Sequence, residues 1–189
     1  MQSTPASDWV RRHAGSIEPA GTVLDLAAGS GRHTIFFKDL GHPVVALDRD
    51  VSRLANLTGD PAVDIVEADL EDGSPWPLDG RRFAGIVVTN YLHRPLLPHL
   101  ARALAPSGVL IYETFGPGNE RFGKPSNPNY LLRPGELLDF AEEFELTALA
   151  YHCGEVATPH RAMLQRAVLK KTCSDQNSLM TDRDSSKVG

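Results

Sequence analysis

The chain has 189 residues, of which 41% are hydrophobic and 23% charged, with a net charge of −5. Those proportions describe a soluble globular protein long enough for one real core, and the acidic balance weighs against nonspecific binding to nucleic acid. Two cysteines, Cys153 and Cys173, suit a reducing compartment better than a disulfide framework, and neither a signal-peptide core nor an apolar stretch of membrane-spanning length is present, so a cytoplasmic protein is expected.

Residues 5–14 read as a short helix with Trp9 and Val10 available for packing, and 16–21 as the turn into a first strand. That strand, 23–26, runs into Ala27-Ala28-Gly29-Ser30-Gly31. An amphipathic helix follows, with Ile35, Phe36, Phe37 and Leu40 at helical spacing and Gly41 as its stop. Residues 44–47 form the second strand, with Asp48 at its carboxyl end. A short helix over 52–57, capped by Asp50, is broken by Gly59-Asp60-Pro61. The third strand is 63–68, closed by Asp69, and 71–80 is a polar loop carrying Trp76. FAGIVVT, 83–89, is the fourth strand; a helix over 96–104 ends at Pro106-Ser107-Gly108, and 109–114 is the fifth strand.

Residues 116–133 are rich in Gly, Pro and Asn without periodicity, and loops of this length serve as lids or binding loops or are disordered. Phe122, Tyr130 and the interspersed Asn and Arg residues favour a lid. Pro134 opens another helix with Leu137, Leu138, Ala141 and Phe144 on its apolar face. Strands 146–152 and 161–171, joined around Ala157-Thr158-Pro159, read as an antiparallel pair. The polar segment 173–189 is expected to be a disordered tail, leaving 1–172 as one domain. The alternation predicts an α/β fold: an open Rossmann-like sheet, mostly parallel, of seven strands with a C-terminal antiparallel hairpin and helices on both faces. Ligands should bind beyond the carboxyl ends of its strands.

The unit 23–50 (strand, glycine turn, helix, strand, acid) is a nucleotide-binding device. It lacks the G-x-G-x-x-G spacing that brings a pyrophosphate close to a helix N-terminus. Asp25 would oppose a phosphate and favour a ligand ammonium. An amino-acid-bearing nucleoside, S-adenosylmethionine, therefore fits better than NAD. Asp48 stands where a carboxylate grips ribose hydroxyls. Asp69 can accept from an exocyclic amine while Leu70 packs on the ring. The plainer alternative, a tight glycine turn in a nonbinding α/β protein, does not account for the acidic spacing.

VLDLAAGSG, VVALD, EADL, FAGIVVTNYLH and GVLIYETF, in that order ahead of the hairpin, resemble the class I S-adenosylmethionine-dependent methyltransferases over about residues 23–172. The GRHT turn and NERFGKPSNPNYLLRPGEL are similar to small bacterial tellurite-resistance-type methyltransferases. The resemblance implies S-adenosyl-L-methionine as cofactor, with Asp25, Gly29 and Gly31 on its methionine side. It puts Asp48 at the ribose, and Asp69 and Leu70 at the adenine. Ala27 stands where the family has the first glycine of its turn, and Arg49 and Asn90 complete the cofactor-binding set.

Asn90, Tyr91 and His93 would face the methyl group and the substrate. His93 and Tyr91 are the catalytic candidates, His93 as general base and Tyr91 with its ring toward the sulfonium. Capping a helix is the plainer role for His93, and His33 reads as structural. A hydroxyl acceptor would need a base, and Glu113 and Tyr130 are the other choices. Tyr91, Arg121, Tyr130 and Arg133 form the expected substrate-binding set. Cys153 reads as buried and inert. No metal set is assigned.

The reaction expected is in-line methyl transfer to a small-molecule acceptor, with nucleic acid and membrane not expected as partners and the oligomeric state open. The alternatives are an RNA or protein methyltransferase using a basic strip from Arg121 through Arg133 to Lys170 and Lys171, and a noncatalytic S-adenosylmethionine-binding protein. A nicotinamide oxidoreductase is disfavoured by the missing third glycine.

Overall fold

Short branched apolar runs separated by glycine, proline and aspartate turns build a seven-stranded sheet. The computed structural model describes residues 4–172. The expectation for 173–189, and Cys173 with it, lies outside the described residues. The strands are β1 (Val23–Leu26), β2 (Val44–Asp48), β3 (Val63–Glu67), β4 (Phe83–Thr89), β5 (Leu104–Phe115), β6 (Leu146–Val156) and β7 (Ala162–Lys171). Their order is β3-β2-β1-β4-β5-β7-β6. The first five run parallel, and β7 is antiparallel to both β5 and β6. The strand order reverses between β1 and β4, the place where open α/β sheets form a crevice.

Four helices cover the sheet: α1 (Asp8–His13), α2 (Arg32–Asp39), α3 (Leu97–Ala103) and α4 (Glu136–Glu143). Side chains alternate across the strands, so two cores form. On one face Trp9, Val10 and Phe37 pack on Val23, Val87, Ile111 and Val168. On the other Leu100, Leu137 and Phe140 pack on Leu24, Ile86 and Leu110.

Three local expectations are corrected. In α2 the buried residues are His33, Thr34 and Phe37, while Leu40, the C-cap residue just past the helix end, is 53% exposed. In α4 the stripe is Leu137, Phe140 and Ala141, and Leu138, a hundred degrees round the helix from Leu137, is exposed. The expected break at Pro106-Ser107-Gly108 is absorbed into β5: Phe83 pairs with Leu104 and Gly85 already with Val109, so the extra residues bulge.

The segment 116–133 is fastened rather than loose. Arg94 donates to both carboxylate oxygens of Glu136, at 2.6 and 2.9 Å, and to the carbonyls of Asn129 and Leu131. Asn119, buried at its start, donates to the Pro125 carbonyl and accepts from Met163 N. Cys153 lies on the edge strand β6 and is exposed, not buried.

Candidate active site

At the carboxyl end of β1 the chain makes a turn that demands left-handed backbone: Ala27 and Gly29 both have φ +57° and Gly31 has φ +73°. Asp48, at the end of the adjacent β2, fastens the turn by accepting from Gly29 N at 2.7 Å, and its other oxygen accepts from Asp50 N at 3.0 Å. A carboxylate offers about four acceptor positions, so half of its capacity remains. Beside it lies a hollow of about 340 Å³ lined by Ala27, Asp48, Arg49, Asp69, Leu70, Tyr91 and Tyr130.

Beneath the turn sits a buried pair. Asp25 is 2% exposed and accepts from Thr34 Oγ1 at 2.6 Å, and His33 Nδ1 lies 4.0 Å from its other oxygen. Burial pushes the Asp25 carboxyl up to about 6, against the hydrogen bonds from Thr34. Burial, with Arg32 nearby, pushes His33 down to about 3. His33 is therefore neutral at neutral pH. Its Nε2 accepts from Ser7 N at 3.2 Å, which leaves the proton on Nδ1, toward Asp25.

A second cavity, of about 470 Å³, lies over β4, β5 and β7, between residues 4–9 and the β6–β7 turn. Its wall includes Trp9, Arg32, Asn90, Glu113, Phe115 and Arg166. Asn90 has φ +55°, which asparagine tolerates better than most residues. Its N–H donates to the Glu113 carbonyl at 2.9 Å. The Glu113 side chain accepts from Ser7 Oγ at 2.7 Å and lies 3.4 Å from Arg166 Nη1. Arg166 in turn stacks over the Trp9 ring, 4.8 Å from its centroid.

No family model matches the chain, and no curated protein sequence matches it. Solved structures do. TehB from Haemophilus influenzae is similar over 90% of this chain, with a TM-score of 0.72 at 18% identity. This chain spans only 64% of that protein's length. A 1,6-didemethyltoxoflavin-N1-methyltransferase from Burkholderia thailandensis, solved with its substrate and S-adenosylhomocysteine, gives a TM-score of 0.63 at 23% identity, covering 86% of this chain and 75% of that one. A TehB-like S-adenosylmethionine-dependent methyltransferase from Corynebacterium glutamicum gives 0.62 at 21% identity over 87% of each chain. The fold is that of S-adenosylmethionine-dependent methyltransferases.

On that fold the sequence-derived candidates separate into groups. Ala27, Asp48, Arg49, Asp69 and Leu70 come together on the first hollow. Asp25, Gly29 and Gly31 do not line it. Asn90 faces the second cavity and Tyr91 the first. Burial, and then the charge of Glu71, hold the Tyr91 phenol well above its ordinary range, so it stays protonated. His93 lines neither directly: it opens into a cleft of about 830 Å³ with Trp76, Pro77 and His99, which shares Arg49, Asp69, Leu70 and Glu71 with the first hollow. It stands at the N-cap of a single 3-10 turn, Arg94–Leu96, that leads into α3, and makes no side-chain cap bond there.

Arg121 lies over Phe122, and Arg133 pairs with Glu136; neither lines these three cavities. Sequence reasoning did not find Ser7 or Arg166. The one available signal was a charge inside an otherwise apolar strand, seen in Glu113 of VLIYETF and Arg166 of MLQRAVL.

Proposed function

We propose that this chain is an S-adenosylmethionine-dependent methyltransferase acting on a small-molecule acceptor. The observation that carries this reading is the junction at the end of β4. Consecutive residues Asn90 and Tyr91 each line one of the two cavities, so a donor in the first would abut an acceptor in the second.

The first hollow suits an adenosyl group. Asp48 retains acceptor positions for ribose hydroxyls, the Asp69 carboxylate is available to an exocyclic amine, and Leu70 offers an apolar face. When bound, the cofactor supplies a methyl group already activated by its sulfonium. The protein's part is then to position the nucleophile and exclude water. The second cavity, at about 470 Å³, has the size of a small-molecule site. The basic strip that an RNA acceptor would use is partly engaged: Lys171 donates to the carbonyls of Ala101 and Leu104, and Arg133 pairs with Glu136.

Calorimetric titration with S-adenosylmethionine, S-adenosylhomocysteine and NADH tests the reading. Binding of the adenosyl ligands at micromolar concentration with NADH silent is expected. Binding of NADH alone, or of none of the three, would reject it. Salt-sensitive capture of RNA would reject the small-molecule part.

A further inference from the structure

The second cavity restricts the chemistry of its acceptor. Glu113 is a buried carboxylate in its wall, 7% exposed, on a sheet face where the preceding residues of the same strand, Val109 and Ile111, are apolar core. Its cross-strand neighbour on β7 is Arg166, so the charge is paired but not saturated. One oxygen accepts from Ser7 Oγ and the other makes a single long contact with Arg166, so both keep acceptor capacity. The backbone of the same residue is bonded to Asn90 N, which fixes Glu113 beside the junction with the cofactor hollow.

Resting on the methyltransferase reading, we propose that this cavity takes a small amine in its neutral form, and that Glu113 accepts a hydrogen bond from the amine N–H and aims the nitrogen lone pair. The nitrogen lone pair forms the N–C bond as the S–C bond breaks, with its electron pair left on sulfur. The positive charge passes from sulfur to nitrogen, and the new ammonium releases a proton to water. A fixed carboxylate beside that nitrogen stabilises the charge as it arrives.

The other nucleophiles fit less well. A hydroxyl must lose its proton, and carboxylates, with pKa values near ~4.3, are weak bases for it. A thiolate or a chalcogen oxyanion would bring its charge against Glu113. The guanidiniums on the same wall are already engaged, Arg166 with Glu113 and Arg32 with the Pro5 carbonyl. Trp9 and Phe115 supply an apolar surface for the carbon frame.

The test offers the protein, with S-adenosylmethionine, three probes of one shape: naphthylamine, naphthol and naphthalenethiol. The parent protein should form the N-methyl product roughly tenfold faster than the O-methyl or S-methyl product. Glu113→Gln should abolish that preference, leave S-adenosylhomocysteine affinity unchanged, and lower N-methyl product formation from S-adenosylmethionine by roughly a hundredfold. Should Glu113→Gln fail to fold, Ser7→Ala, which frees the carboxylate from its positioning bond, should narrow the preference. Equal or faster methylation of naphthol or the thiol, or a preference that survives both variants, overturns the proposal. Failure of the parent protein to bind S-adenosylhomocysteine would instead reject the methyltransferase reading on which it rests.

Discussion

The hollow beside Asp48 is made largely from one continuous stretch, residues 27–71, whereas the cavity beside Glu113 draws on residues 4–9, Arg32, Asn90, two positions of β5 and the far end of the hairpin. In the first, backbone does the holding: a turn with three left-handed residues is latched by Gly29 N to Asp48. In the second, side chains do it, through Ser7 to Glu113 and Arg166 over Trp9. The proposed cofactor half should therefore be sensitive to backbone changes and tolerant of small side-chain changes, and the proposed acceptor half the reverse.

The largest effect should come from Gly31→Ala. A Cβ there would sit 2.7 Å from Leu54 Cδ2 and 3.2 Å from Leu57 Cδ1, on backbone at φ +73°. Leu54 is fully buried and has little room to move. Left-handed strain and overpacking together should cost about 2–4 kcal/mol. Gly29→Ala, with the same kind of φ but open space around it, should cost about 1 kcal/mol from strain alone. Urea unfolding of both variants measures the difference. Equal losses would mean that backbone strain, and not the contact with Leu54, decides.

The buried pair beneath the turn gives the next effect. Asp25 rises from 3.8 to about 6 on folding, so the stability it contributes at low pH is lost as pH rises through that window. His33 falls from 6.5 to about 3, so its contribution is present above the unfolded value and lost as pH falls. Between those limits the folded pair keeps one proton, on Asp25, and the unfolded pair also keeps one, on His33. The two slopes nearly cancel. Asp25→Asn should remove the compensation, and stability should then fall by about 1.4 kcal/mol per pH unit on acidification from pH ~6 to ~4. Urea midpoints for parent and variant across that range decide it; parallel slopes would show that the two groups do not offset each other.

On the acceptor side, Ser7→Ala removes a hydroxyl that both donates to Glu113 and caps α1 by accepting from Trp9 N at 3.1 Å. The loss should be about 1–2 kcal/mol, with Ser7→Thr restoring most of it. Hydrogen exchange should speed in the first turn of α1, while S-adenosylhomocysteine affinity should hold. A matching loss of cofactor affinity would mean that Ser7 acts through its backbone bond to His33, joining the two halves that the comparison separates.

The same division explains what could be read from the sequence. The strands, the turn and Asp48 follow from spacing within a single βαβ unit, where glycine, apolar run and acid are close neighbours. Asp25 was legible as an unusual acid at the turn, but not as a side chain sealed under it by Thr34, because burial depends on how α2 docks. The second cavity was not legible as a unit. Ser7 and Glu113 are 106 positions apart and Glu113 and Arg166 are 53 apart, and only the β5–β7 pairing brings the last two together. His93 shows the converse: it is three positions from Asn90 in sequence, yet it opens into a different cleft from Asn90, one that adjoins the first hollow at Asp69 and Leu70.

The smallest effect is the most direct test of a backbone-held cofactor half. Ala27 occupies left-handed backbone at φ +57°, where a Cβ is strained. Ala27→Gly relieves that strain, worth about 1–2 kcal/mol, but frees the unfolded chain, which costs back about 0.4–1 kcal/mol. The net should be a gain of up to about 1 kcal/mol, visible as a higher urea midpoint at unchanged slope. Ala27 also lines the first hollow. If the turn is held by Gly29 N on Asp48 rather than by packing of the Ala27 methyl, S-adenosylhomocysteine affinity should change by less than about threefold, under 1 kcal/mol. A larger loss would show that the methyl group packs against the ligand, and the cofactor half would then depend on side chains as the acceptor half does.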